Sequence, residues 1–349
     1  MSAVMTRVKI FLFLLSFTAV GTLLEIYHPH YFTLLNVSTW NNFSTAFFSK
    51  TPSPHLIIVI PTNSTTTTKK PRLCFCENCL TEDQGLRKDR LDTFVEPLLS
   101  KNYKLSQDNY NWWRHLQGEK GSFSSFETTV ERLFQLFPPV PDIAEPKSDK
   151  CRTCAVVGNS PRLRGANYGE IIDSKDVVIR INNGQVHGFE KDVGTKTTHR
   201  AMYPESAQNL DNSTHLLLFA FKMLDLQWLL EASTTGFNGR SYAPIISRIN
   251  ANKNLVMVVN PAFMRYVHDK WLARKASYPS TGIMTVVLAL YICDEVHVFG
   301  FGADTKGHWS HYWEPQSKTP VNSVHPGSFE YSIIEQLDKQ GRLKFHKGI

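Results

Sequence analysis

Charged side chains are scarce in this sequence, and no segment concentrates charge of one sign. Only 20% of the 349 residues are charged, and 38 basic against 31 acidic residues leave a formal net charge of +7. Nucleic-acid-binding proteins typically cluster Lys and Arg and interleave them with aromatic residues, and this sequence lacks such a cluster. We therefore expect no nucleic-acid partner. A mildly basic surface is compatible with an anionic substrate but identifies none.

Three nucleotide-binding and metal-binding motifs are also missing. The sequence has no Gly-x-x-x-x-Gly-Lys-Ser/Thr loop, and no Gly-x-Gly-x-x-Gly follows its first predicted strand. It also lacks Asp-x-Asp, with which many nucleotide-sugar transferases hold a divalent metal against a diphosphate leaving group. These absences disfavour a P-loop enzyme and a dinucleotide-binding protein, and they predict an activity without a metal.

A long apolar run lies near the N-terminus. Arg7 and Lys9 precede an uncharged stretch at 10–24, which is short for a membrane span but can be lengthened by tilting and by its flanking residues. A cleaved signal peptide is the alternative, although no clear small-x-small cleavage site follows the run. Because a positive flank stays cytoplasmic, the sequence predicts a cytoplasmic tail at 1–9, a type II anchor at 10–26, and a lumenal remainder.

A polar segment separates this run from the rest of the chain. Residues 27–71 are rich in Thr, Ser, Asn and Pro, and such a composition cannot bury a core. Four asparagines stand in glycosylation sequons, three of them in this segment: Asn36, Asn42, Asn63 and Asn212. We predict a glycosylated stalk over 27–71 and a single lumenal domain over 72–349.

Cysteine is sparse, and its spacing allows two interpretations. The six cysteines are Cys74, Cys76, Cys79, Cys151, Cys154 and Cys293. Two Cys-x-x-Cys pairs among them could form a split zinc site. Disulfides are favoured in the oxidising compartment that the predicted anchor and the sequons indicate. Six cysteines permit fifteen pairings, and spacing alone does not choose among them.

Short apolar runs alternate with helical segments beyond a proline cluster at 138–146. The runs that predict strands are 155–157, 177–181, 216–219, 255–259 and 296–299. Helical apolar spacing occupies 86–137, and the long apolar segment at 282–292 predicts a helix that is buried on most faces. Strands separated by helices predict an α/β domain with a doubly wound, mostly parallel sheet.

Polar turns follow several of these runs. They are Gly158-Asn159-Ser160, Asn182-Asn183, Asn260-Pro261 and Gly300-Phe301-Gly302. Ligands of doubly wound sheets bind at the carboxyl ends of the strands, and Asn and Ser can hydrogen-bond a ribose, a base or a phosphate. Tight turns also need Gly and Asn for their backbone geometry, so each turn taken singly fits either explanation.

Four segments resemble, in the same order, the sequence motifs of animal sialyltransferases. They are 154–198 (large motif), 278–302 (small motif), His311-Tyr312-Trp313-Glu314 (third motif), and His325 with Glu330 (very small motif). Within that family the chain is most similar to the β-galactoside α-2,3-sialyltransferases. Three further features point to members that act on Galβ1,3GalNAc of O-glycans: Tyr203-Pro204-Glu205-Ser206, Trp112-Trp113 and Cys74-x-Cys76-x-x-Cys79.

The resemblance implies a fold and an activity. The fold would be Rossmann-like, a variant of the GT-A fold. The enzyme would transfer sialic acid from CMP-sialic acid to the 3-hydroxyl of a terminal galactose on glycoproteins or glycolipids, by a single inverting displacement and without a cofactor or metal. Its location would be the Golgi membrane, with release of a cleaved, secreted form as a variant. Another linkage or acceptor, or a non-catalytic glycan-binding protein of the same fold, is the alternative, and the oligomeric state is left open.

The resemblance also assigns roles to individual residues. His325 would be the general base, and His311 would donate to the phosphate of departing CMP, with help from Tyr203. The remaining binding residues would be Asn159 and Asn182 for the nucleotide, Ser280, Thr281 and Gly282 for the sialic acid carboxylate, and Gln117 and Trp309 for the acceptor galactose. An anion at Ser280-Thr281-Gly282 fits the free N–H groups of a helix start, and a plain N-cap is the alternative there.

Two details of the resemblance concern structure and specificity. The implied disulfides are Cys74–Cys79, Cys76–Cys151 and Cys154–Cys293. Where the subgroup usually has Ala-Pro-Thr, this chain has Gly184-Gln185-Val186. Because that loop borders the implied donor site, we expect this difference to affect efficiency or acceptor preference.

Overall fold

The computed structural model of the chain describes residues 76, 80, 84–86, 95–141, 151–275, 277–315 and 327–349. All of them belong to one unit, Thr68–Ile349. Several predicted features lie outside the described residues: the anchor at 10–26, the stalk at 27–71, Asn36, Asn42, Asn63, Cys74, Cys79 and His325. Among the residues that are described, no helix is both long enough and apolar enough to cross a membrane.

Seven strands in the described part of the chain form one sheet. They are β1 (Thr153–Val157), β2 (Val177–Ile181), β3 (His199–Met202), β4 (His215–Leu218), β5 (Val256–Val258), β6 (Glu295–Phe299) and β7 (Lys344–His346). The order is β5-β4-β3-β2-β1-β6-β7, and each adjacent pair is parallel. The winding direction reverses between β1 and β6, so the sheet is doubly wound and has its switch point at the carboxyl ends of these two strands.

The apolar runs predict five of these strands, and the structure contains two more. β3 begins with His199 and Arg200, and β7 has Lys344 and His346 at its two ends. Neither strand has the uninterrupted apolar pattern by which a buried strand is recognised in a sequence. Both strands nevertheless pair in register with their neighbours. Their pairing with long apolar neighbours therefore determines their conformation.

Helices cover both faces of the sheet. They are α1 (Gln84–Leu86), α2 (Gln107–His115), α3 (Phe123–Leu136), α4 (Gly169–Asp173), α5 (Glu190–Val193), α6 (Met223–Ala232), α7 (Pro261–Tyr266), α8 (Thr281–Ile292) and α9 (Gly327–Lys339), with short 3₁₀ turns at Pro161–Leu163, Pro204–Ser206 and Lys253–Leu255 and a π-helical turn at Val267–Trp271. α2 and α3 begin at N-cap residues Ser106 and Ser122, whose hydroxyls each accept a backbone N–H of the first turn. The serines thus define where these helices begin.

The sheet separates a larger hydrophobic core from a smaller one. Adjacent side chains of β2 point to opposite faces, with Ile179 in the larger core and Val178 in the smaller one. α8, the predicted apolar helix, is buried along nearly its whole length and packs against β1, β2, β3 and β6. Tyr312 belongs to the smaller core, and Phe189 packs against it. Motif residues are thus built into the packing of the domain.

Two disulfides lie at the amino-terminal side of the sheet. Cys154 in β1 is bonded to Cys293, which follows α8, and Cys76 is bonded to Cys151. Both are pairs that the resemblance implies. Among the described residues no cysteine is free. Cys76 and Cys151 come from different Cys-x-x-Cys pairs, and Cys154 of the second pair is bonded to the distant Cys293. These four sulfur atoms are therefore not available as thiolate ligands of a zinc ion.

Candidate active site

The carboxyl ends of β1 and β6 approach each other closely at the switch point. The backbone N–H of Gly158 donates to Phe299 O (2.8 Å), and that of Ser160 donates to Gly300 O (2.9 Å). A Cβ atom on Gly158 would lie 2.3 Å from Gly300 O, so no other residue fits there without backbone movement. Glycine at this turn therefore places Asn159 between the ends of the two strands.

The start of α8 packs against the same place. A Cβ atom on Gly158 and a Cβ atom on Gly282 would each lie 3.0 Å from a different edge carbon of the Phe301 ring. The ring of Phe301 therefore lies between the turn that follows β1 and the start of α8. It brings the predicted nucleotide-binding Asn159 and the predicted anion-binding helix start into one region.

Asn159 has one side-chain atom that lacks a partner. Its Nδ2 donates to Ile181 O (3.1 Å), whereas Oδ1 is buried and accepts no hydrogen bond from the described residues. A buried acceptor without a donor carries an energetic cost. An amino or hydroxyl group of a bound nucleoside would satisfy Oδ1, which fits the role expected for Asn159.

Asn182 is fixed in an unusual backbone conformation at the end of β2. Its φ of +52° lies in the left-handed region, which Asn tolerates better than most residues. Its backbone O accepts from Arg200 (3.1 Å), and its Oδ1 accepts from Ser206 Oγ (3.0 Å). The side-chain oxygen is therefore occupied, and the amide nitrogen is the group that is left for a ligand.

The divergent loop Gly184-Gln185-Val186 is hydrogen-bonded to Arg200 and Tyr312. Arg200 donates to Gly184 O (3.0 Å), and the hydroxyl of Tyr312 donates to Gln185 O. A Cβ atom on Gly184 would lie 2.9 Å from Asn159 Oδ1. Burial lowers the pKa of the Arg200 guanidinium to about 10, so Arg200 still carries a positive charge beside the loop at neutral pH. The loop thus lies against the candidate nucleotide site, as expected from the sequence.

Tyr203 lies at the end of β3, next to a buried ionic cluster. Burial raises the pKa of its phenol above the usual value, so the hydroxyl remains a hydrogen-bond donor. The ammonium of Lys222 pairs with Glu205 (2.9 Å) and with Asp225 (2.6 Å). Burial raises the pKa of Asp225 to about 6. The cluster packs the turn that carries Tyr203 against the start of α6.

An aromatic row connects Tyr203 with a residue predicted to bind the acceptor. The ring of Phe221 lies 6.0 Å from that of Tyr203 and 5.5 Å from that of Tyr278. Gln117 Nε2 donates to the hydroxyl of Tyr278 (3.3 Å). Gln117 is therefore connected to the candidate donor residues through three aromatic rings, although it follows a helix that precedes the sheet by many residues.

Trp309 packs against the start of α9. A Cβ atom on Gly327 would lie 2.6 Å from the Trp309 ring, so glycine allows the close approach of the helix. His325 lies outside the described residues, two positions before α9 begins. Trp309 is thus held next to the helix that follows the predicted base in the sequence.

The third motif turns back toward the first. The backbone N–H of Tyr312 donates to Asn159 O (3.1 Å), which places His311 next to the candidate nucleotide site. The imidazole Nδ1 of His311 lies 2.9 Å from Glu314 Oε1. The His311 side chain is about half exposed, as a group that meets a ligand must be.

Glu330 and Ser280 form a contact that bears on the expected role of Ser280. The buried carboxylate of Glu330 accepts from the Ser280 N–H (2.9 Å) and from its hydroxyl (2.5 Å). Ser280 Oγ also accepts from the N–H of Ile283 (3.2 Å) and thereby caps α8. The polar groups of Ser280 are therefore bound to protein atoms. At the helix start, the N–H groups of Thr281 and Gly282 are the ones left for an anion.

Three of the described residues in this region belong to none of the roles expected from the sequence. Arg200, Lys222 and Tyr242 lie beside the expected residues, and Tyr242 hydrogen-bonds to the Tyr203 side chain. Arg200 and Tyr242 act through contacts with distant segments, and Lys222 joins the distant Glu205 to Asp225, which lies three residues further along the chain. Asn212, the described sequon, is exposed in the turn before β4, where a glycan could attach.

Comparisons with known proteins agree with this geometry. A family model described as Glycosyltransferase family 29 (sialyltransferase) matches residues 98–342. The CMP-N-acetylneuraminate-beta-galactosamide-alpha-2,3-sialyltransferase 1 of Gallus gallus is 42% identical over 284 residues, which cover 79% of this chain and 83% of that protein. The Homo sapiens protein of the same name is 40% identical over 290 residues, covering 80% of this chain and 84% of that protein.

A solved structure is also similar to most of this chain. The crystal structure of a mammalian sialyltransferase in complex with Gal-beta-1-3GalNAc-ortho-nitrophenol matches with a TM-score of 0.73 and 41% identity. The match covers 79% of this chain and 100% of that chain. The likeness thus covers most of this chain and the whole of that one.

Proposed function

Because the chain belongs to glycosyltransferase family 29, the sialyltransferases, we propose that it transfers sialic acid from CMP-sialic acid to the 3-hydroxyl of a terminal galactose. The proposed acceptors are Galβ1,3GalNAc of O-glycans and galactose-terminated glycolipids. The observation that carries the proposal is the likeness to the Gal-beta-1-3GalNAc complex over the whole of that chain. In finer terms, the fold would be a Rossmann-like variant of the GT-A fold.

An acceptor panel tests the proposal. The chain is incubated with CMP-sialic acid and with Galβ1,3GalNAc, Galβ1,4GlcNAc or a glycolipid ending in Galβ1,3GalNAc. We expect transfer to Galβ1,3GalNAc at the highest kcat/KM, because the similar crystal structure contains that disaccharide. A preference for Galβ1,4GlcNAc would contradict the proposed acceptor. Acceptor binding without any release of CMP would instead identify a non-catalytic glycan-binding protein.

The proposed mechanism is a single inverting displacement. The bond between the anomeric carbon of sialic acid and the phosphate oxygen breaks, and its electron pair stays on the phosphate. The acceptor oxygen forms the new bond while His325 takes its proton, and the transition state resembles an oxocarbenium ion. His311 and Tyr203 would donate hydrogen bonds to the phosphate, and Asn159 and Asn182 would hold the nucleotide.

The remaining proposed contacts are those of the sugars. The sialic acid carboxylate would bind the N–H groups of Thr281 and Gly282, where the dipole of α8 favours an anion. The acceptor galactose would lie between Gln117 and Trp309. The proposed contact residues carry hydroxyl, amide and imidazole groups, which suit a sugar and a phosphate monoester.

We expect transfer to continue in excess chelator. The leaving group is a phosphate monoester, and the proposed phosphate contacts are the hydrogen-bond donors of His311 and Tyr203. The chain also lacks Asp-x-Asp. Initial rates with and without EDTA measure this directly. Loss of activity in EDTA, followed by rescue with manganese, would contradict metal-independent neutralisation of the phosphate.

The proposed location is the Golgi membrane, with a type II anchor at 10–26 and a lumenal catalytic domain. Arg7 and Lys9 on the cytoplasmic side and the downstream sequons support this orientation. The lumenal sequons should then be glycosylated in cells. Treatment with an N-glycosidase should increase the electrophoretic mobility of the expressed protein. An unchanged mobility would contradict lumenal placement.

A further inference from the structure

Glu314 holds His311 at two points. One carboxylate oxygen, Oε1, lies 2.9 Å from the imidazole Nδ1, and the other, Oε2, accepts the backbone N–H of His311 at 3.0 Å. The ring of Trp313 stacks on the imidazole with 4.5 Å between centroids and an angle of 8° between the planes. The orientation of the imidazole is therefore fixed on its Nδ1 edge and on one face.

The bond to Glu314 determines which nitrogen atoms carry protons. The backbone N–H of His311, and next its imidazole, lower the pKa of Glu314 below the usual value, so this carboxylate is ionised at neutral pH. An ionised carboxylate only accepts hydrogen bonds, so Nδ1 of His311 must carry a proton. A neutral imidazole has no second proton for Nε2. Donation from Nε2 to a phosphate therefore requires the imidazolium.

We propose that Glu314 is a positioning residue that pairs with the His311 imidazolium through Nδ1 and directs its Nε2–H toward the phosphate of departing CMP. This inference rests on the proposed function, since it presupposes that His311 donates to that phosphate. Bond cleavage leaves an electron pair on the phosphate oxygen, and the Nε2–H hydrogen bond stabilises the charge that develops there. The acceptor proton still goes to the base. Glu314 itself contacts neither substrate.

Several other charged groups lie near His311. A cavity of about 160 Å³ beside it is lined in part by Arg164, Asp304, Lys306 and Glu314. Asp304 bonds to the imidazole of His308 (2.8 Å) and to backbone N–H groups of its own loop. The Arg164 guanidinium donates to backbone carbonyls. Lys306 and Arg164 oppose the imidazolium electrostatically, and Glu314 is the carboxylate that contacts it.

The pH dependence of kcat for Glu314→Gln tests this role. The amide that replaces the carboxylate can still accept a hydrogen bond but carries no charge, so the imidazolium loses its counter-ion. We expect the alkaline limb of the kcat profile to move to lower pH, by a small amount because both side chains are nearly half exposed and water screens the pair. The acid limb, set by the base, should not move. Glu314→Asp keeps the charge and should keep the alkaline limb in its original position.

Glu295→Gln is the matched control. Glu295 pairs with His297 (2.6 Å) at the amino-terminal end of β6, the opposite end of the sheet from the candidate site. Removing this carboxylate makes the same change in charge and removes the same type of pair. We expect both limbs of its profile to stay unchanged. An equal shift in the control would contradict a specific effect of Glu314.

Two outcomes separate this inference from the proposed function. If His311→Ala retains full turnover, the proposed donor role of His311 is wrong. If His311→Ala loses turnover while Glu314→Gln shows the original pH profile, or a loss that is equal at every pH, the pairing inference alone is wrong. A melting curve of each variant shows whether it folds. If Glu314→Gln does not fold, the pH profile of Glu314→Asp is compared with that of the wild type.

Discussion

Replacing His325 by alanine is expected to lower turnover by a factor of roughly 10²–10⁴, the contribution typical of a general base. The affinity for CMP should stay unchanged, because the base would face the acceptor hydroxyl and not the nucleotide. His311→Ala should also lower turnover, but it should weaken CMP binding as well, because CMP retains the phosphate that His311 would contact. Radiolabelled transfer and calorimetric titration with CMP measure the two effects separately.

A third histidine serves as the control for this pair. The His187 side chain is fully exposed and lies 3.6 Å from Glu190, so its replacement by alanine should change neither quantity. Near-normal transfer by His325→Ala would leave the base unassigned. Glu330 is a poor substitute for it, because its buried carboxylate is bonded to Ser280. Loss of CMP binding in proportion to the loss of rate would make His325 a donor-site residue.

Gly158→Ala is expected to cost roughly 3 kcal/mol or more of unfolding free energy. The new Cβ would lie 2.3 Å from the backbone oxygen of Gly300, and backbone atoms of two central strands cannot move aside as a flexible side chain can. Activity should fall with stability, because the same turn positions Asn159. Thermal or urea denaturation of the purified protein gives the change in stability.

Gly121→Ala is the control for this substitution. Its Cβ would lie 3.5 Å from side-chain atoms of Met223 and Tyr110, which is ordinary van der Waals contact. This variant should unfold close to the wild-type midpoint. If Gly158→Ala also unfolded at the wild-type midpoint, the close approach of β1 and β6 would be wrong.

Local patterns in the sequence account for much of the fold. The apolar run of β2 and the segment of α8 are long enough to fix their conformation wherever they are buried, and Ser280 has the properties of an N-cap before the helix begins. The parallel pairing of the strands follows from alternating strands and helices, but their order does not, because β3 lacks the apolar run by which the sequence would place it. The structure adds the switch point at β1 and β6, which indicates where a ligand binds.

Contacts between distant segments could not be predicted in this way. Glu330 and Ser280 are 50 positions apart, and nothing near either residue indicates that one carboxylate occupies the helix start. Arg200 is buried in a strand without an apolar pattern, where hydrogen bonds to the backbone oxygens of Asn182 and Gly184 replace a carboxylate partner. Such pairs depend on the tertiary fold, so their roles become visible only in the structure.

The structure of the product tests the central claim most directly. The chain is incubated with CMP-sialic acid and Galβ1,3GalNAc, the released CMP is quantified, and the linkage of the trisaccharide is determined by NMR. We predict one equivalent of CMP for each sialic acid that is transferred, and an α-linkage to the 3-hydroxyl of the galactose. Release of CMP without a new glycosidic bond, or sialic acid on a different hydroxyl, would contradict the account.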